Sequence, residues 1–276
     1  AGENRRAIAV TAPIRPLNCF LERVRAQHRQ DRAKDFLACD LHVGLDVVEQ
    51  RRTNEKAALH LKRASIANER RAFADADVDV SADAITRTFG LHVFDMLFAM
   101  NEKGEMKPQM VESWEASSDK LGWTFVLREG LKWHDGTPVT AADCVASLRR
   151  WGARDALGKM LLTATASLDA TDVRTFRFVL KEPFPLMLEV LGKPNAPLPV
   201  MMPARLAATP PDQRIPEPVG SGPFRFVKNE WRPGNTMLLE RNPDYVPRSE
   251  APDFLAGGKK VKIDQLTLRV MPDQST

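Results

Sequence analysis

Apolar residues recur in this chain with two different periods, and each period marks a kind of element. Ile85, Phe89, Val93, Met96 and Leu97 fall near i, i+4, i+8 and i+11, the spacing of one helical face, which predicts an amphipathic helix over Ile85–Phe98, weakened slightly by Gly90. From Gly122 to Arg128 the period drops to two, with Trp123, Phe125 and Leu127 on one face of a half-buried strand. Leu131 and Trp133 resume the alternation after Glu129-Gly130, so the two runs read as a hairpin. Phe176, Phe178 and Leu180 mark a further strand over Arg174–Leu180. Phe224–Trp231 and Thr236–Arg241 read as strands joined at Arg232-Pro233-Gly234-Asn235, where proline presets a negative φ and glycine permits a positive one. A last strand is predicted over Ile263–Met271 from Ile263, Leu266, Leu268 and Val270.

Start and stop signals add helices between the strands. Thr140 followed by Asp143 has the form of an N-cap with its reciprocal partner, and Ala141, Val145, Leu148 and Trp151 follow at helical spacing, predicting a helix over Thr140–Trp151. Pro185–Leu191 reads as a short apolar helix ended by Gly192. The proline-rich stretch Asn195–Pro218 shows little periodicity beyond a turn of helix at Pro203–Ala208 and is expected to be irregular surface chain. Short strands alternating with short helices place residues 75–276 in the α/β class, with no internal repeat.

The 276 residues are 43% hydrophobic and 28% charged, enough to bury a large core. No run of eighteen apolar residues occurs, and the first thirty residues carry Arg5, Arg6, Arg15, Arg23, Arg25 and Arg29 without an apolar stretch, so neither a membrane-spanning helix nor a secretory signal is visible. Of the 40 basic and 36 acidic residues, 15 and 9 lie in the first 74 positions, leaving 25 against 27 in the remainder. The net charge of +4 is therefore a property of the leading segment, and the rest is mildly acidic. With only Phe20, Phe36 and Phe73 as aromatics in that basic segment, a nucleic-acid surface is not expected. Candidate helices at Leu17–Gln30 and Glu55–Arg71 carry arginine on nearly every face, so residues 1–74 read as a basic interaction arm or, more simply, as a leader without a packed core, disordered, vector-derived or mis-framed. Cys19, Cys39 and Cys144 are too few and too scattered for a disulfide scaffold or a zinc site.

No catalytic constellation emerges. Ser221 in Gly220-Ser221-Gly222 lacks the spacing of a nucleophile elbow and is followed by Pro223, so a tight turn of closely approaching backbones is the better reading. His134 and Asp135 are adjacent and point to opposite faces of extended chain, and His92 has no ligand partner at i+4. Cys144 falls beside a buried helical stripe as a small core residue. The five tryptophans, Trp114, Trp123, Trp133, Trp151 and Trp231, are expected to be mostly core.

Read in order, several segments resemble one family. Val111-Glu-Ser-Trp114 through Trp133-His-Asp-Gly-Thr-Pro138, then Val139-Thr-Ala-Ala-Asp-Cys-Val-Ala-Ser-Leu148, Val219-Gly-Ser-Gly-Pro-Phe224, Asn242-Pro-Asp-Tyr245 and Val270-Met-Pro-Asp273 are similar to the extracytoplasmic solute-binding proteins of ABC importers, family 5, the dipeptide, oligopeptide and nickel class. The similarity covers about 200 of the 276 residues. It implies an α/β, mixed-sheet lobe of a two-lobe, type II (cluster C) periplasmic-binding-protein-like fold, formed by residues 75–276 and stopping before the second lobe. It implies a periplasmic, monomeric, non-enzymatic protein without a cofactor or bound metal, capturing a small peptide or similar solute between lobes and handing it to a membrane permease. Asp75–Ser81 departs from the family's apolar opening strand. By position, the implied ligand contacts are Thr86, Arg87 and Thr88 at the start of the first helix, Lys159 and Met160 after the Thr140 helix, and Lys193 and Asn195 after the Phe184 helix. Arg87 and Lys193 are the cations that would pair with a ligand carboxylate, against the plainer reading of each as a solvated surface cation. The alternative for the whole chain is a fragment that binds no solute, or an interaction module with a basic arm.

Overall fold

A computed structural model describes residues 84–269. In chain order the elements are α1 (Ala84–Val93), β1 (Phe98–Met100), β2 (Met106–Pro108), β3 (Val111–Ala116), β4 (Gly122–Leu127), α2 (Ala141–Gly152), α3 (Ala156–Ala164), β5 (Thr165–Ala170), β6 (Thr175–Leu180), α4 (Met187–Leu191), α5 (Ala204–Ala207), β7 (Phe224–Phe226), β8 (Thr236–Arg241) and β9 (Gln265–Arg269). The segment 1–74 with its two candidate helices, Cys19 and Cys39, the Asp75–Ser81 stretch and the Val270–Asp273 motif all lie outside the described residues.

Two antiparallel sheets carry two cores. The first sheet runs β3-β4-β6-β5, and its inward alternation is the one the sequence shows: Phe125, Leu127, Phe176, Phe178 and Leu180 are buried with Trp133, Leu148 and Trp151 from α2 and its approach. Phe125 stacks on Phe176 at 5.2 Å between ring centres and meets Phe178 edge-on at 6.2 Å. The second sheet, β7-β8-β9, packs Phe224, Met237, Leu239 and Leu266 against Phe89 and Val93 of α1.

Three expectations are corrected. The first helix ends at Val93 rather than Phe98; Met96 bridges Val200 and Phe98–Met100 becomes strand β1. Apolar residues at the end of a helical pattern are equally compatible with extended chain buried on both sides, and here that is what they are. Leu131–Trp133 does not pair with β4, whose neighbours are β3 and β6; instead it closes a tiny ribbon with Thr137–Val139, where Trp133 N–H donates to the Thr137 carbonyl at 2.8 Å and Val139 N–H to that of Leu131 at 3.0 Å. Asn195–Pro218 is surface chain only in its second half: Leu198, Val200, Met201, Met202 and Leu206 are buried, and after Ala207 only Ile215 is.

That buried run lies between the two cores. Met201 N–H donates to the Asp95 carbonyl at 2.9 Å alongside the Met96–Val200 bridge. Side chains alternate across it, as period-two chain requires: Met96, Val200 and Met202 enter the second core, Leu97 and Met201 the first.

The capping box predicted for α2 is present in full. Asp143 N–H donates to Thr140 Oγ1 at 3.3 Å, and Thr140 N–H returns the bond to Asp143 Oδ2 at 2.9 Å. Asp143 also receives Trp133 Nε1–H at 3.3 Å and the backbone N–H of Ala204 at 2.7 Å, so one carboxylate ties α2 to the Trp133 ribbon and to α5. Thr140→Ala is expected to cost about 1 kcal/mol, and Asp143→Ala about 2 kcal/mol because it strands two further donors; urea midpoints at constant slope would read both.

A strap formed by Val246–Lys259 is fastened to the segments around Asp95 and Gln109–Val111 by three cations. Arg128 donates to the carbonyls of Gln109 (2.9 Å) and Val246 (3.0 Å), Arg248 to that of Val111 (2.9 Å), and Lys259 Nζ to Asp95 Oδ1 (2.6 Å). Hydrogen bonds from Arg248 draw the Glu250 carboxyl down to about 2.

Candidate functional site

Two of the loops that the sequence singles out meet at a buried carboxylate. Asp155 caps α3, its Oδ1 accepting from Gly158 N–H at 2.9 Å, and its other oxygen, Oδ2, lies 2.6 Å from Lys193 Nζ in the loop after α4. Lys193 donates again to the carbonyl of Asn195 at 2.9 Å. Trp151 Nε1–H fastens the same loop through the Pro197 carbonyl at 3.1 Å. The Lys193 side chain is only 9% exposed, so it is neither the solvated cation of the plain reading nor a free partner for a carboxylate.

The other candidates fall on either side of this corner. Lys159 and Met160 are on the outer face of α3 and exposed, one turn from Asp155, whose carbonyl accepts the Lys159 N–H at 2.8 Å. Asn195 is half-buried. Asp155 thus links the first turn of α3, which leads into Lys159 and Met160, to the loop that carries Lys193 and Asn195. Arg87 and Thr88 stand on α1, both half-buried, in the helix that serves the second core; the side chain of Thr86 lies outside the described part. Asp155 itself was not among the sequence candidates, although an Asp two residues after Gly152-Ala153 and directly before an apolar helical run carries an N-cap signal.

A second buried feature resolves the Gly220-Ser221-Gly222 segment as the tight turn the sequence suggests. A Cβ at Gly220 would stand 2.0 Å from the Val93 carbonyl oxygen, and one at Gly222 would stand 2.6 Å from that of His92. His134 clasps the turn from outside: its N–H donates to the Gly220 carbonyl (2.8 Å), Gly220 N–H donates to Nδ1 (3.3 Å), and Nε2–H donates to the Gly222 carbonyl (3.0 Å). Accepting at Nδ1 and donating at Nε2 fixes the neutral ring in one tautomer. Ser221 Oγ is buried without a partner, so His134 and Ser221 do not form a nucleophile and base.

The same clasp sets a pH dependence. Burial lowers the pKa of His134 and of His92, whose Nδ1–H donates to the Thr88 carbonyl at 2.6 Å. A histidine more easily protonated unfolded than folded gives stability that is present above the unfolded value near 6.5 and is lost as pH falls through and below it. The urea midpoint is expected to be lower at pH 5 than at pH 7.5, and His134→Gln should flatten that difference.

Cys144 is wholly buried and its thiol pKa is pushed up by desolvation, as a core residue's should be. Of the five tryptophans, Trp133 and Trp151 are core, Trp123 and Trp231 are half-buried, and Trp114 is 39% exposed; the expectation of mostly core residues holds for two outright. Among the described residues no cluster of His, Cys, Asp or Glu is arranged to hold a metal, and no helix is long and apolar enough to cross a membrane.

Residues 105–276 match the family model described as bacterial extracellular solute-binding proteins, family 5, middle region. The chain belongs to that family. Its first sheet, α2, the Gly220–Gly222 turn and the strap all fall within the matched part. A probable peptide ABC transporter periplasmic-binding protein of Sinorhizobium fredii is 41% identical over 194 residues, covering 70% of this chain and 36% of that one. Among solved structures, the binding protein AgaA of Agrobacterium tumefaciens, in complex with agropinic acid, is 29% identical with a TM-score of 0.57, covering 71% of this chain and 37% of its own. MoaA of the same organism, in complex with mannopinic acid, is 26% identical with a TM-score of 0.58, covering 73% and 40%. The α/β periplasmic-binding-protein fold implied by the sequence is therefore the fold of this family 5 protein, but the sheets expected to be mixed are antiparallel among the described residues. The chain spans somewhat over a third of the length of these relatives. Family 5 is a class of solute-binding proteins and not of enzymes.

Proposed function

We propose that this chain supplies one lobe of the periplasmic solute-capturing component of an ABC importer, that residues 75–276 are that lobe, and that the solute is a small peptide passed on to a membrane permease. The observation that carries the reading is the 41% identity to a peptide ABC transporter periplasmic-binding protein. The corner at Asp155 supports it as one wall of the cleft: exposed Lys159 and Met160 on α3, and half-buried Asn195 on the loop that Lys193 ties to the start of α3, offer apolar contact and polar anchoring, which is what a solute cleft needs. Arg87, Thr88 and Thr86 on α1 complete the proposed contacts. The protein works as a monomer in the periplasm, without a catalytic step and without nucleic acid.

A thermal-shift panel tests the substrate class. A solute held at a millimolar Kd and supplied at ten times that concentration stabilises by about 1.4 kcal/mol, or roughly 3–5 °C for a domain of this size. Di- to pentapeptides are expected to raise the Tm by that amount. Agropinic acid, mannopinic acid or a nickel chelate doing so while no peptide does would overturn the peptide assignment, and the two opine-type acids are the competitors that the AgaA and MoaA complexes put forward.

A further inference from the structure

We infer that Asp155 sets the charge preference of the proposed wall by neutralising Lys193, so that the solute presents an uncharged polar group there, an amide or a hydroxyl, and no carboxylate. The inference rests on the reading of this wall as a solute surface. From the sequence, Lys193 is a cation waiting for an anion. In the fold that anion is already supplied from within: Asp155 Oδ2 lies 2.6 Å from Nζ, and the side chains are 5% and 9% exposed.

The bonding around the ammonium leaves it little to offer. Of its three donors, one is spent on Asp155 and one on the Asn195 carbonyl at 2.9 Å. A paired cation and anion at this separation present a dipole to the wall, and the attraction of a dipole for a distant carboxylate falls off far faster than that of a lone charge. A ligand carboxylate at the remaining donor would stand against the Asp155 charge, and one that displaced Asp155 would leave that carboxylate buried and break its cap on Gly158. Asn195, whose carbonyl takes one of those donors, is half-buried, and its carboxamide, which both donates and accepts, suits an amide or a hydroxyl. Asp155 thereby acts as a positioning residue as well: with its two oxygens it holds the start of α3 and the loop after α4 in one geometry.

Acetate and acetamide are a matched pair of probes, equal in shape and different in charge. Titrated separately into 15N-labelled protein, acetamide is expected to perturb the Lys193 and Asn195 amides weakly, and acetate less than acetamide. Asp155→Asn keeps a side chain that caps α3 and removes the charge; acetate should then bind at least tenfold more tightly than acetamide at these amides, and adding Lys193→Met should abolish the preference. Should Asp155→Asn not fold, Asp155→Ser, which also caps, carries the same comparison. A preference for acetate in the unsubstituted protein, or no gain of one in the Asp155 variant, would overturn the inference. Peptides failing in the thermal panel while the acetate contrast holds would retire the peptide assignment and leave the charge gating standing.

Discussion

Gly220→Ala is expected to unfold the protein or to lower its stability by about 3 kcal/mol, the upper end of what overpacking costs, which corresponds to roughly 6–12 °C in Tm. The added methyl would sit 2.0 Å from the Val93 carbonyl oxygen and 2.8 Å from its carbon. No rotamer relieves a Cβ, and the obstacle is backbone at the end of α1, so either the helix end or the turn must move. Both are held: His134 bonds the turn on three sides, and Gly222 N–H donates to the same Val93 carbonyl at 2.9 Å. Gly136→Ala is the control. Its φ of +86° disfavours a side chain, but nothing lies within 4 Å of its Cβ, and the cost should stay near 1 kcal/mol. Equal losses at the two positions, measured by urea denaturation, would mean that the close approach of turn and helix is not what fixes Gly220.

Lys259→Met is expected to cost about 3 kcal/mol, the lower end for breaking a buried pair, because Lys259 keeps 22% of its side chain exposed while Asp95 keeps 2%. The loss comes from the anion left behind. Asp95 sits among Tyr245, whose hydroxyl pKa is raised chiefly by burial and then by the Asp95 charge, and Arg128, whose guanidinium is itself partly desolvated. Neither replaces an ammonium at 2.6 Å. Pairing Lys259→Met with Asp95→Asn removes the stranded charge, and the double variant should recover more than half of the loss; additivity of the two single effects would show that the pair is not coupled.

How much of this was legible in the chain depends on the range of the interaction. Thr140 and Asp143 are three residues apart and their capping box is written in the sequence; the alternation of Phe125 with Leu127, and of Phe176 with Phe178, fixes the face of β4 and β6 in the same local way. Met96 and Leu97 also lie within an apolar pattern, but whether such residues continue a helix or cross between cores is decided by Val200 and Met201, a hundred residues away, and no local period records that. The prolines of Asn195–Pro218 spoke for surface loop, which is right for most of the backbone but wrong for the burial of its first half, since proline bars regular hydrogen bonding without barring apolar contact. For the candidate wall, the positions of Lys159, Met160, Lys193 and Asn195 could be proposed from family likeness, but the state of Lys193 could not. Its charge is cancelled by a residue 38 positions earlier, and ion pairs across that distance leave no spacing to read.

The ribbon of Met96-Leu97 against Val200-Met201-Met202 gives the two cores a common wall, and a common wall ties their fates. Neither sheet can lose its packing without withdrawing side chains from a strand that the other also needs, so the two halves are expected to melt as one cooperative unit although each has its own sheet. Register is policed from both sides as well: a slip of one residue along the ribbon would exchange Met201 for Val200 or Met202 in both cores at once. A unit built in this way is expected to move as a single stiff body.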